Sequence, residues 1–453
     1  MDVDTIAAVA TAPGPGALAI VRVSGPSALA VLARVAPSHP GPAEPRRASL
    51  VRVVDPSSGA ELDRALVTFF PGPASYTGED VIEISGHGGW LAPALVLEAC
   101  VSAGARRAEA GEFTRRAYLN GKMDLLQAEA VLDLIEGRSR ALHSAALHQL
   151  ERGLSARITA LRARLIHLEA MLAHHLDFPE EDEPPVSRGR IMDEARDVAG
   201  ALARILATAP EGELLREGAL TVLAGRPNAG KSSLFNALLG EERTIVTDTP
   251  GTTRDAVEAT LSLGDFPFRL VDTAGVREPG EPVERLGMEV AKRYHERADV
   301  VLFCIEAGRA PDEVEAEYLA DLAGRRVILV RTKADLAGRG EPEPVIGGSE
   351  VRVSVVTGEG LDALKALLPA LVYRDLAVGI REVPVLTRAR QTAGVKVALE
   401  EVEAFVAALG DGVAAEVAAT HLRPGETALE ELLGVISPDD VLDRLFGEFC
   451  IGK

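Results

Sequence analysis

The run Gly225-Arg226-Pro227-Asn228-Ala229-Gly230-Lys231-Ser232 fits G-x-x-x-x-G-K-[ST], a spacing suited to gripping a chain of phosphates. Phosphate oxygens need closely spaced backbone N–H donors at a helix N-terminus, and glycine lets the backbone approach them. Nucleotide contacts are therefore expected from Asn228 and Ala229 through Gly230, Lys231 and Ser232 to Ser233, with Lys231 adding charge and Ser232 a hydroxyl for Mg²⁺. Downstream, Asp272-Thr273-Ala274-Gly275 offers a carboxylate to the magnesium shell and a glycine N–H to the terminal phosphate. Between them Gly251-Thr252-Thr253-Arg254-Asp255 offers Thr253 as a second hydroxyl ligand for magnesium, and nucleotide contacts are expected to extend back through Thr247, Asp248, Thr249 and Pro250.

The base is read by Thr332-Lys333-Ala334-Asp335, which resembles the N-K-x-D signature of GTPases. A carboxylate at Asp335 accepts from the guanine N1–H and the exocyclic amine, a pair of donors that adenine lacks. Thr332 replaces asparagine and cannot reproduce both amide hydrogen bonds. Ser354-Val355-Val356 matches the usual base-side loop only poorly. The glutamine that often follows D-x-x-G is missing, since Val276 and Arg277 stand there. Glu284 is a carboxylate able to orient water in its place, although spacing alone favours a solvated residue on a helix face.

These groups need a sheet to hold them. From about Glu217 to Arg374 strand and helix patterns alternate, predicting a mostly parallel, doubly wound α/β unit, here residues 216–376. Residues 1–118 carry alternating runs at Leu18–Gly25, Arg64–Phe70 and Asp80–Gly86, with a hairpin turn at Asp55–Gly59, and read as an α+β domain. Leu150, Leu154, Ile158, Leu161, Leu165, Leu168, Leu172 and Leu176 form one apolar stripe, as on a long helix. Pro179 to Arg190 reads as an exposed loop, and helical periodicity returns at Val395, Leu399, Val402, Phe405, Val406 and Leu409. The simplest multidomain architecture splits a helical domain into 119–215 and 377–453 and inserts a Ras-like P-loop GTPase domain between the halves.

Taken together, the motifs identify the chain as similar to the MnmE (TrmE) family of GTPases that modify the wobble uridine of certain tRNAs. The resemblance rests on GRPNAGKSSLFN, GTTRD, DTAGVRE and VERLG, on SYTGEDVIEISGHGG and GEFTRRAYLNGKMDLLQAEAV, and on the tail Cys450-Ile451-Gly452-Lys453. It implies an N-terminal domain that forms a homodimer and binds a tetrahydrofolate derivative (5-formyl- or methylene-tetrahydrofolate), and the flavoprotein MnmG as partner in a hetero-oligomer. It also implies GTP-driven addition of an aminomethyl or carboxymethylaminomethyl group at uridine C5. Arg22, Glu79, Lys122 and Lys453 match the family's folate contacts; taken singly, each also reads as a surface ion pair. Asn228, Thr247, Thr249 and Thr252 match its K⁺ ligands, and Glu284 its catalytic glutamate. Cys450 reads equally as a small buried apolar side chain, but its place close to Gly452 and the terminus favours exposure and a role at the modification site, its part as nucleophile left open. Ala110 stands where the family usually has proline.

Composition narrows the classes. With 453 residues, 47% of them hydrophobic and 26% charged, the chain suits a multidomain globular protein, and it has no apolar run able to span a bilayer. An acidic start and three scattered cysteines lead us to expect a cytoplasmic protein with reduced thiols. A net charge of -20 opposes sequence-independent binding of DNA or RNA, so contact with tRNA must be local. Arg106, Arg107, Arg115 and Arg116, then Arg152, Arg157, Arg162 and Arg164, are the candidate patches, with solvated surface arginine as the blander reading. A GTP-switched ribosome-assembly factor would share the phosphate loop and GTTRD but would lack the folate-like domain and the tail.

Overall fold

The computed structural model describes residues 4–39, 44–177, 186–240, 257–272, 294, 297–337, 349–374, 384–436 and 439–453. They fall into two units, Met1–Leu132 with Glu430–Lys453, and Asp133–Leu429.

Apolar–polar alternation builds the sheet of the first unit. Its strands are β1 (Ile6–Val9), β2 (Leu18–Ser24), β3 (Ser49–Val54), β4 (Glu61–Phe70), β5 (Val81–His87) and β6 (Arg106–Arg107), in the order β3-β4-β5-β2-β1-β6. All neighbours are antiparallel except β1 and β6. Val21 and Val23 point to the face covered by α1 (Ala28–Val35) and α2 (Ala92–Ser102), where they join Val31, Leu32 and Val96 in one core. By the same period of two, Arg22 and Ser24 point to the opposite face. The β3–β4 turn follows its sequence: Asp55 Oδ1 accepts from the N–H of Ser57 at 2.7 Å and of Ser58 at 3.3 Å. Those bonds, led by Ser57, hold the Asp55 carboxyl below the usual carboxylate range. Beyond the sheet come α3 (Glu112–Leu119) and α4 (Leu125–Glu136); the chain's last helix, Asp439–Gly447, packs on α3.

In the second unit the long apolar stripe is divided. Leu150 ends α5 (Arg140–Leu150), while Leu154 to Leu172 lie along α6 (Gly153–Asp177). The single long helix expected from the period is interrupted because Arg152 takes φ +71° and Gly153 lies against the His148 ring, with no room for a Cβ. Six stripe residues from Leu154 to Leu172 are nonetheless buried as expected. Of the Pro179–Arg190 segment, residues 178–185 lie outside the described residues; α7 (Arg188–Leu206) begins within it, capped where Ser187 Oγ accepts from the Arg190 N–H at 3.3 Å. A further helix, α8 (Ala209–Glu217), leads into the α/β sheet.

That sheet comprises β7 (Ala219–Ala224), β8 (Val257–Leu263), β9 (Phe266–Asp272), β10 (Val300–Glu306), β11 (Val327–Thr332) and β12 (Ser349–Arg352). Their order is β12-β11-β10-β7-β9-β8, parallel throughout except for the β8–β9 hairpin. Every residue of β7 is buried, as a central parallel strand covered on both faces requires. The helices here are α9 (Lys231–Gly240), α10 (Glu313–Asp321) and α11 (Leu361–Val372). After them α12 (Ala389–Gly410) packs along α7, so helices on either side of the sheet in sequence meet in space. The buried Tyr373 hydroxyl lies 2.6 Å from the Pro267 carbonyl, 3.0 Å from that of Leu214 and 3.3 Å from the Ala219 N–H. It thus joins the point where the chain leaves the sheet to the point where it enters. Among the described residues no helix is long and apolar enough to cross a membrane.

Candidate functional site

The phosphate loop leaves the carboxyl end of β7, between its neighbours β10 and β9, where strand order reverses and ligands of such sheets are held. Two glycines fix its path. Gly225, at φ +128°, lies so close to the Cys304 carbonyl that a Cβ would overlap it, and Gly230, at φ +86°, lies against Thr332. Asn228 takes φ +64° with its residue exposed at the crest of the loop. The Lys231 ammonium donates to the Gly225 carbonyl at 2.8 Å and the Arg226 carbonyl at 2.7 Å. Burial pulls the Lys231 pKa down, while Asp272 at the end of β9 opposes that pull. Ser232 and Ser233 are exposed in the first turn of α9.

Thr332 ties the base-reading loop to the phosphate loop. Its Oγ1 lies 2.7 Å from the Ala229 carbonyl and 3.3 Å from that of Ile305, and the residue is buried. A hydroxyl has one proton, and here it is directed at backbone oxygens. The threonine therefore keeps the loop-to-loop link. Lys333, at φ +55°, pairs with Glu306. Asp335 Oδ1 accepts from the buried Ser354 hydroxyl at 2.6 Å, and Ser354 Oγ in turn accepts from the Thr357 N–H at 3.2 Å. Ser354 is thus the orienter of Asp335, a role that its weak motif match concealed. Arg226 also gains a role: it pairs at 2.7 Å with Asp312, whose Oδ1 caps α10. The remaining expected nucleotide and cation residues, Thr247, Asp248, Thr249, Pro250, Gly251, Thr252, Thr253, Thr273, Ala274, Gly275 and the candidate catalytic Glu284, lie outside the described residues.

The first unit gathers a second group of residues. Arg22 on β2 pairs with Glu83, its direct partner on β5, through Nε at 3.0 Å and Nη2 at 2.9 Å. Two residues along β2, the Ser24 hydroxyl donates to Glu79 Oε2 at 2.7 Å and lies 2.7 Å from Thr77 Oγ1. Arg116 from α3 reaches Glu79 at 3.3 Å and also pairs with Asp4 and Glu112. Burial lowers the Arg116 pKa, but its carboxylate partners outweigh it and the net shift is upward. Lys122 is exposed and donates to the Pro73 carbonyl at 2.7 Å. Lys453 is half-buried; burial and then the neighbouring Arg22 charge pull its pKa down, against Glu83. Ile451 pairs with Ala110, the position where proline was expected, so the departure coincides with the docking place of the tail. Cys450 is exposed, whereas burial pushes the Cys100 and Cys304 thiols up to about 12. Most of the arginines weighed as RNA contacts are neutralised: Arg106 by Asp4 and Glu112, Arg115 by Asp443, Arg162 by Glu426 and Arg164 by Glu194. Among the described residues no cluster of histidine, cysteine and carboxylate side chains has metal-site geometry.

Residues 5–122 match the family model for the N-terminus of the GTP-binding protein TrmE, and residues 125–450 match that for the MnmE helical domain. The chain is 40% identical over 452 residues to the tRNA modification GTPase MnmE of Geobacter sulfurreducens, covering 99% of both chains. It is 42% identical to that of Azoarcus sp. over 455 residues, covering 99% of this chain and 98% of the other. The chain belongs to the MnmE family of tRNA modification GTPases. Its architecture is that of the MnmE family: an N-terminal α+β domain, a helical domain and a P-loop GTPase domain. The G domain of T. maritima FeoB is 31% identical, covering 33% of this chain and 94% of that one, with a TM-score of 0.26.

If Thr332 and Ser354 act as described, Thr332→Val and Ser354→Ala each weaken guanine-nucleotide binding by about five- to tenfold, the worth of one such hydrogen bond. Titration with a fluorescent GDP measures it, and wild-type affinity in both variants would contradict the assignment.

Proposed function

We propose that this GTPase works with the flavoprotein MnmG to add an aminomethyl or carboxymethylaminomethyl group at C5 of the wobble uridine of certain tRNAs. The observation that carries the reading is the convergence, in one unit, of Arg22, Glu79 and Lys453 with the segment that bears Cys450. A bound tetrahydrofolate, as the 5-formyl or methylene derivative, supplies the one-carbon unit. Glu79, fixed by Ser24 and Arg116, offers carboxylate oxygens to ring N–H donors such as those of a pterin. Arg22, Lys122 and Lys453 supply the positive charge that suits a glutamate tail. Exposed apolar residues support a homodimer through this domain: Leu50 and Leu66 are cross-strand partners on the outer face of the sheet, and Trp90 is 71% exposed. We place the enzyme in the cytoplasm, where tRNA is modified.

In the G domain we assign Mg²⁺ to Ser232 and Thr253, with Asp272 behind them, and K⁺ to Asn228, Thr247, Thr249 and Thr252. The left-handed backbone at Asn228, with the residue exposed on the phosphate loop, supports the second assignment. Held there, K⁺ would supply positive charge against that developing between the phosphates, and Glu284 orients the attacking water.

GTP hydrolysis is expected to run about tenfold or more faster in K⁺ than in Na⁺ at equal ionic strength. Equal rates would remove the cation from the mechanism. Calorimetric titration with 5-formyl-tetrahydrofolate should show binding that Glu79→Gln weakens by about tenfold or more, as for a lost charge-assisted bond. Unaltered affinity in that variant would place the ligand elsewhere.

A further inference from the structure

We infer that Glu83 is a positioning residue, which acts through Arg22 to clamp the segment Cys450–Lys453 onto the sheet of the first unit. The inference rests on the reading that Cys450 works at this site; the clamp itself is a matter of geometry.

Register places Arg22 directly opposite Glu83 on adjacent strands, and both Nε and Nη2 of the arginine bind the same Glu83 oxygen. This two-point hold fixes the plane of the guanidinium. The rings of Tyr76 and Phe113 flank it, with centroids 5.4 and 5.6 Å from the guanidinium carbon, and the side chains of Arg22 and Glu83 are only 14% and 24% exposed. An arginine held in this way can aim its remaining nitrogen, and Nη1 donates to the Gly452 carbonyl at 3.3 Å.

The tail has few other holds. Ile451 is 63% exposed and meets Ala110 in a single isolated bridge. Gly111 N–H reaches the Cys450 carbonyl only at 3.5 Å, and Phe113 N–H reaches the Lys453 main-chain oxygen at 3.2 Å. Gly452 is buried at φ +102°, where a Cβ would overlap the Val9 carbonyl. Fixing each tail residue costs backbone entropy that is at least as large as the net gain from one neutral hydrogen bond. The charged Arg22 contact therefore decides whether the tail stays down. Remove Glu83, and the Arg22 guanidinium loses its anchor while the repulsion between it and the Lys453 ammonium loses the carboxylate that offsets it.

The test is a methanethiosulfonate nitroxide on Cys450 of the full chain; Cys100 and Cys304 are buried and escape the reagent. Wild type should give a broad, motionally restricted spectrum. Glu83→Ala should sharpen it several-fold, Arg22→Lys should do the same, and Gly452→Ala should release the tail with the ion pair intact. A second nitroxide, on Ser57→Cys in a Cys450→Ser background, reports on the fold and should stay unchanged in Glu83→Ala. The clamp is overturned by a mobile Cys450 label in wild type, by a restricted label in Glu83→Ala, or by loosening of both labels together. None of these spectra needs a folate, so a clamped tail in a protein that binds no 5-formyl-tetrahydrofolate would sink the folate reading and leave the clamp standing.

Discussion

A domain inserted into another must leave and return at one place, and the hydroxyl of Tyr373 is where this chain meets that condition. It sits among the Leu214 and Pro267 carbonyls and the Ala219 N–H, and its ring stacks on Phe266 at a centroid distance of 4.5 Å. With entry and exit joined, α7 and α12 can pack as though the intervening sheet were a long loop. The cost of such a closure grows only slowly with the length enclosed, which is why a whole nucleotide-binding sheet can be carried there.

Inside that sheet, recognition of phosphate and of base is one mechanical problem. Thr332 Oγ1 at the Ala229 carbonyl, and Gly230 against Thr332, hold the two loops in register, while Ser354 fixes the Asp335 carboxylate. In the first unit the same economy recurs. Arg116 and Ser24 orient Glu79, and Glu83 orients Arg22, so both of these residues are themselves held by partners that carry opposite charge or a hydroxyl proton.

Local pattern made much of this legible. The phosphate loop, the alternating strands and the stripe from Leu154 to Leu172 follow from periods of two and 3.6 and from glycine chemistry. The break at Arg152 did not show, because positive φ at a non-glycine residue leaves no trace in an apolar period. Glu83 did not stand out either, and neither the pairing of Arg116 with Glu79 nor that of Ser354 with Asp335 is visible in the sequence. Their partners are set by strand register or by contacts across the fold, and a lone charged residue reads first as a solvated one. The arginines weighed as RNA contacts show the reverse: their spacing suggested a patch, and tertiary pairing with Asp4, Glu112, Glu194, Glu426 and Asp443 consumes the charge.

The central claim is that the unit holding Cys450 performs the carbon chemistry on tRNA that the GTPase drives. Nucleoside mass spectrometry of tRNA from cells lacking the gene, complemented with wild type or with Cys450→Ser, tests it most directly. The account predicts that the C5-modified wobble uridine disappears on deletion, returns with wild type and stays absent with Cys450→Ser. A normal profile in the deletion, or full restoration by Cys450→Ser, would contradict it.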